Sequence, residues 1–323
     1  MLMTERPNAD ALMAGPLGQW LGEQNAERER VKAKAAKWRW YGLFAAGGAL
    51  IIMLVFGAPL DTSGYIAFFV GVAGFGIGEM IKQPMLNRLK GGINGAIAKA
   101  LNLEYSVTCE PGKTFERAKL FDMVPSYDGS SFQDLWWGLV AGQPFTLHEA
   151  KLTEQQGSGK SRRTVTVFDG VIMSIGFNRR FLGTTLIEPD GKRTKFFGGE
   201  QDKADIGGLD LSRIDLGDPR FEERFTVWAS DQVESRYIVH PEYMERLIGI
   251  ETAFSGEDIR ALFHDGDLLI TLKTGNLFES GSLDSKDDRA LLAKAIEQFG
   301  SLNDLANVMN ERARPGFRDN PPA

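Results

Sequence analysis

The chain has 323 residues, 43% hydrophobic and 25% charged, a globular composition that excludes collagen-like and wholly disordered classes. A single cysteine, Cys109, excludes an internal disulfide and any multi-cysteine metal cluster. The net charge of −6 hides an asymmetry: residues 1–102 carry 11 Lys+Arg against 7 Asp+Glu, whereas residues 103–323 carry 26 against 36.

Asn25–Trp40 reads as a helix of good formers with alternating charge, closing on Trp38 and Trp40. Tyr41–Leu60 then holds no charge over twenty residues, enough at 1.5 Å per residue for a bilayer of roughly 30 Å. After Asp61-Thr62, Ser63–Ile81 repeats the pattern with only Glu79 near its end. Two such runs in succession are expected of a transmembrane hairpin rather than of core helices. The roughly forty residues ahead of the first run make it an anchor, not a cleavable signal. Arg28, Arg30, Lys32, Lys34, Lys37 and Arg39 precede the first span, and Lys82, Arg88, Lys90 and Lys99 follow the second. The positive-inside rule puts both termini in the cytoplasm of a cell inner membrane.

Gly71, Gly74 and Gly78 share a face of the second span, with Gly47-Gly48 as a matching patch on the first. Close packing of the hairpin on itself is the expectation, and a homo-oligomer seam the alternative. Glu79 is expected to snorkel to the interface. Leu86, Leu89, Ile93, Ile97 and Leu101 continue a helix over Met85–Leu103.

Beyond this point strands and helices mix. Thr164–Phe177 alternates with period two, placing Val165, Val167, Val171, Met173, Ile175 and Phe177 on one face. Asp169-Gly170 is its expected bulge or turn, and Thr146–Gln155 its partner across Gly157–Ser161. Phe225–Ala229 reads as a strand. Asp265-Gly266 suits a type I′ turn, setting Phe263 against Leu268, Ala261 against Ile270 and Ile259 against Leu272. Pro241 opens a helix with a Tyr243, Leu247, Ile250, Phe254 stripe, and Ser285 with Asp288 resembles a capping box before Leu292, Ala295, Ile296 and Phe299. The fold class is therefore α+β: a two-helix hairpin followed by a cytosolic domain with an antiparallel sheet. The boundaries are a cytosolic helix (1–40), spans at 41–60 and 63–81, a connecting helix (82–102), the α+β domain (103–310) and a disordered tail (311–323).

Motifs for chemistry are sparse. Gly157-Ser158-Gly159-Lys160-Ser161 lacks the first glycine of a phosphate-binding loop, Glu154 standing there, and a strand follows it instead of a helix. His148, His240 and His264 show no metal spacing; His240 is expected to cap the Pro241 helix and His264 to be exposed beside its turn. No catalytic, cofactor or metal residue is nominated, and the acidic domain argues against nucleic acid.

Leu147-His148-Glu149-Ala150, Arg162-Arg163, Val167-Phe168-Asp169-Gly170-Val171, Phe181-x-Gly183-Thr184-Thr185 and above all Ser230–Ile238 with Pro241 and Met244–Leu247 resemble an uncharacterised bacterial family, domain of unknown function 3137. The resemblance implies an integral membrane protein with a cytosolic domain, sometimes encoded near LemA-like membrane proteins, and transfers no activity. In the motif itself, Asp231 is expected to cap a turn, Val233 and Tyr237 to pack together, and Glu234 and Arg236 to form an ion pair.

The expected function is a non-enzymatic, membrane-tethered module for a membrane or cytosolic protein partner. A hydrolase-like enzyme with a polar site at Asp231, Glu234, Arg236 and Tyr237 is the alternative. A third reading is a lipid-head-group domain using Arg162, Arg163, Arg179 and Arg180. A pocket of converging polar groups would favour the second, a basic concavity the third, and an exposed apolar patch the first.

Overall fold

The computed structural model describes residues 8–140, 142–177, 182–193, 202–278 and 281–311. Arg179, Arg180, Phe181 and the tail beyond Glu311 lie outside them. The chain divides into two compact units, a helical one (Asn8–Ala96 with residues 281–293) and a sheet unit (Ile97–Phe278 and Lys294 onward).

In the helical unit, Asn8 caps a short helix α1 (Ala9–Ala14) by accepting the N–H groups of Asp10 and Ala11. Helix α2 (Pro16–Val55) carries the basic segment and the first apolar run without a break, and α3 (Leu60–Ala100) carries the second. The turn falls at 56–59, where Gly57 has φ +76°, so Asp61 and Thr62 lie inside α3 and not between the helices. That shift decides how the helices meet. With the turn there, residue 42 comes opposite residue 74. A Cβ on Gly74 would sit 2.3 Å from the Cα of Gly42, and one on Gly78 would sit 3.1 Å from the Ala35 carbonyl. Gly47 and Gly48, the patch expected from the sequence, have nothing within 4 Å; the face of α2 that meets α3 carries Ala35, Gly42 and Ala46 instead. Glu79 is paired by Arg39 across the helices and by Lys82 at 3.0 Å on its own helix.

One ion pair of this unit is buried. The Arg28 and Asp288 side chains, 1% and 2% exposed, meet with Nη1–Oδ1 at 3.0 Å and Nη2–Oδ2 at 2.9 Å. Asp288 opens the last helix, but its carboxylate goes to Arg28 and not back to Ser285 as a capping box would have it. Burial pushes that carboxyl up against the pull of the guanidinium.

Among the described residues of the sheet unit, ten strands form one sheet with every neighbour antiparallel: β1 (Leu103–Thr108), β2 (Gly129–Val140), β3 (Gln143–Gln156), β4 (Arg163–Gly176), β5 (Thr185–Pro189), β6 (Lys203–Ile206), β7 (Leu209–Ile214), β8 (Phe225–Ala229), β9 (Glu257–His264) and β10 (Asp267–Lys273). Their order is β1-β2-β3-β4-β10-β9-β5-β8-β7-β6. Leu103 therefore begins a strand instead of ending the preceding helix. The Asp265-Gly266 turn has positive φ at both residues, as type I′ requires. It sets Phe263 against Leu268 and Ala261 against Ile270. The expected Ile259–Leu272 pair falls in a bulge at Asp258, where φ is +60°.

The sheet is covered on both faces, which is why β4 reads as buried at almost every position from Phe168 onward. One face holds Ala150, Leu152, Phe168, Ile172, Leu262, Leu269 and Trp228 beneath α4 (Lys113–Leu120), which contributes Phe115 and Ala118. The opposite face carries Val171, Met173, Ile175 and Ile270. There Tyr243, from α7 (Pro241–Ala253), packs on Phe263 with ring centroids 5.2 Å apart. Trp136 lies 4.4 Å from Phe299 of α8 (Asp288–Glu311). Gly170 is not the bulge in β4; that lies at Val167, opposite the step from Leu152 to Thr153. A Cβ on Gly170 would meet the Leu272 carbonyl at 2.1 Å, so glycine there permits the close approach of β10.

Candidate functional site

Two sequence motifs come together because β5 and β8 are antiparallel neighbours, with Thr185 opposite Ala229. The chain before β5 and the chain after β8 consequently leave the sheet side by side. Thr184 donates its N–H to Ser230 Oγ at 2.9 Å, and Ser230 returns its own N–H to the Thr184 carbonyl at 3.0 Å. Asp231 then caps α6 (Gln232–Ile238), accepting the N–H groups of Val233 and Glu234 at 2.9 and 3.0 Å. From the first turn of α6, Glu234 accepts Leu182 N–H at Oε1 (3.0 Å) and Gly183 N–H at Oε2 (2.7 Å). Buried Ser235 and Thr185 join hydroxyls at 2.7 Å. Thr184 Oγ1 reaches His264 Nδ1 at 2.8 Å. His264 is thus half-buried and not exposed; burial first, and the Arg117 charge second, lower its pKa.

This clasp places the four nominated polar residues. Asp231 and Glu234 are spent on backbone amides. Arg236 turns away, donating from Nε and Nη2 to the Asp215 carbonyl at 3.3 and 3.2 Å, so the expected Glu234–Arg236 ion pair is replaced by two separate anchors. Tyr237 is 43% exposed and Val233 79%, so this pair points outward. The four side chains do not converge. What the motif presents instead is apolar: Leu182 is 90% exposed beside them.

Among the described residues of the sheet unit, clefts open at two places. One, of about 500 Å³, lies where the bulges of β4 and β9 splay the strands, lined by Thr166, Asp169, Glu257, Lys273 and Thr274 among others. The other, of about 450 Å³, lies between the 216–220 turn and the start of α7, where His240 caps the helix by accepting Tyr243 N–H at 3.3 Å. Arg162 and Arg163 are exposed at the β3–β4 hairpin tip, whose Gly159–Ser161 segment is a single 3₁₀ turn joining two strands.

Sequence reasoning passed over a buried carboxylate. Glu149, 4% exposed, accepts Leu277 and Phe278 N–H at Oε1 (both 2.8 Å) and Gln133 Nε2 at Oε2 (2.9 Å). Burial, then the charge of fully buried Asp134, pushes its pKa up to about 7 against those hydrogen bonds. Asp134 has φ +57° and accepts the Tyr105 hydroxyl. The signal was present: Glu149 falls in phase with inward Phe145 and Leu147. Its neighbour His148, on the opposite face, is pushed down to about 4 by burial and is neutral at physiological pH.

Residues 166–311 match the model of the family described as Protein of unknown function (DUF3137), so the resemblance carried by the Ser230–Ile238 motif holds for this segment. No curated protein matches the chain. A solved structure, the mycobacterial trehalose monomycolate transport factor A, aligns over 69% of this chain and 96% of its own at 13% identity with a TM-score of 0.36, a likeness that defines neither shared fold nor function.

Proposed function

We propose that the protein is a membrane-anchored interaction module, non-enzymatic, whose sheet domain docks an apolar segment of another protein. The single observation that carries this is the surface on the clasp: Leu182, Val233 and Tyr237 stand exposed on the motif that gives the chain its family resemblance. Outside the two long apolar helices, Leu182 and Val233 are the most exposed large hydrophobics among the described residues. Keeping such side chains in water is unfavourable by roughly 25 cal/mol per Å², so a grouped set marks an interface.

For the anchor, α2 and α3 are each long and apolar enough to cross a bilayer, and their apolar stretches point outward, Phe44 at 69%, Val55 at 77%, Phe56 at 85% and Phe68 at 64% exposed. Lipid is the solvent that suits such a surface. The flanking lysines and arginines support a hairpin in a cytoplasmic membrane with both ends and the sheet domain inside.

Placing a photo-reactive amino acid at Val233 in the full chain, in native membranes, tests the docking surface. The expected result is a discrete adduct that disappears with Leu182→Asp or Tyr237→Asp. Its mass distinguishes a LemA-like or other protein from a second copy of this chain. Absence of any adduct from a folded, membrane-inserted chain overturns the reading. For topology, a cysteine at Ala58 in a Cys109→Ser background should react with an impermeant maleimide on intact cells.

A further inference from the structure

Arg236 is the charged member of the 230–238 motif that the clasp leaves aside. Its guanidinium is steadied by the Asp215 carbonyl through Nε and Nη2, and Nη1 makes no hydrogen bond to the described residues. This places it at the cleft of about 450 Å³ whose lining also includes Arg220, Gly217, His240 and Pro241. Arg220, 89% exposed, lies 3.9 Å from Asp218 and is otherwise open to solvent.

The carboxylates around this cleft are already occupied by backbone. Asp218 accepts Arg220 and Phe221 N–H while capping α5 (Pro219–Glu222). Glu222 Oε1 accepts Leu216 and Gly217 N–H, both at 2.8 Å, and Asp215 Oδ1 also accepts Gly217 N–H. These acids rigidify the 215–220 turn; Asp218 also lies beside Arg220 and Asp215 beside Arg236, and both guanidiniums line the same concavity. His240 accepts Tyr243 N–H at Nδ1 and lines the same cleft. The start of α7 adds the positive end of a thirteen-residue helix.

We infer that this cleft binds a phosphate group, held by the Arg220 and Arg236 forks. A planar guanidinium matches phosphate oxygens two at a time, and the volume leaves room for an organic remainder beyond the phosphate. The group could be carried by a free metabolite or by a lipid head group, and the chemistry of the cleft is the same for both.

The experiment titrates inorganic phosphate into the full chain in neutral detergent, following the His240 imidazole nitrogens by NMR. Saturable binding with Kd at or below about 1 mM is expected, weakened about tenfold by Arg236→Gln and by Arg220→Gln. Arg236→Lys should fall between, because it keeps charge but not the fork, and Arg246→Gln, on the exposed side of α7, should bind as the parent does. Unchanged melting temperatures show that the variants fold. Repeating the titration in phosphatidylcholine nanodiscs with and without phosphatidic acid separates the sources: competition by phosphatidic acid assigns a lipid head group, and its absence a soluble phosphate. No saturable phosphate binding, or equal binding by both Gln variants, overturns the inference.

Discussion

Glu234 binds Gly183 across fifty-one residues of sequence, its Oε2 accepting the glycine N–H at 2.7 Å while Oε1 takes Leu182 N–H. A side chain opposite it would be tightly confined. A Cβ at position 183 would lie 3.0 Å from both Asp231 Cβ and Ser230 Oγ. Glu234→Gln, which exchanges one acceptor for a donor facing an N–H, should cost about 1–3 kcal/mol, and Gly183→Ala a similar amount. Thermal unfolding of the single and double variants checks this. The two effects should fall short of additive, because either change opens the same clasp.

The buried Arg28–Asp288 pair should respond asymmetrically. Asp288→Ala leaves a guanidinium buried without its counter-charge and should destabilise by about 3–5 kcal/mol, whereas replacing both residues by Met and Leu should be close to neutral. Chemical denaturation in detergent measures both. The exposed Asp10–Arg289 pair, 2.7 Å apart, is the internal control: Asp10→Asn should leave the unfolding curve where it is.

Glu149 makes stability pH-dependent in a stated direction. Its carboxyl titrates near 7 when folded and near its ordinary 4.5 when unfolded. Between those values the folded state binds the extra proton, so stability attributable to this group is greatest below 4.5 and declines as pH rises through 7, by on the order of 3 kcal/mol. Glu149→Gln keeps an acceptor for Leu277 and Phe278 and removes the charge. The variant sets an amide donor against Gln133 Nε2 and should lose this slope, as read from denaturation midpoints across pH 4–8.

At the helix crossing, Gly74→Val forces a branched side chain onto the Gly42 backbone. The hairpin should splay, at a cost of about 1–3 kcal/mol, while Gly47→Val, which meets nothing, should not. Spin-label distances across α2 and α3 distinguish the two.

Local physics made much of the scaffold legible. Two uncharged runs announced the long apolar helices, the Asp265-Gly266 pair announced a type I′ hairpin, and Pro241 announced the start of α7, because each depends on neighbours within one turn or one strand. The clasp was half visible: residues 183–185 and 230–238 stood out as motifs, but nothing local says that they touch.

What the sequence determined by itself was therefore the class of solvent each segment suits and the periodicity of its elements. Tertiary structure decided the rest. The face on which α2 meets α3 carries Gly42 and not Gly47-Gly48. The pairing of β5 with β8 turned Glu234 from a partner of Arg236 into an acceptor for distant amides, and the same geometry left Val233 and Tyr237 outside. These outcomes depend on register and strand order, which are set by contacts between residues far apart in the chain, and no window of neighbouring residues encodes them.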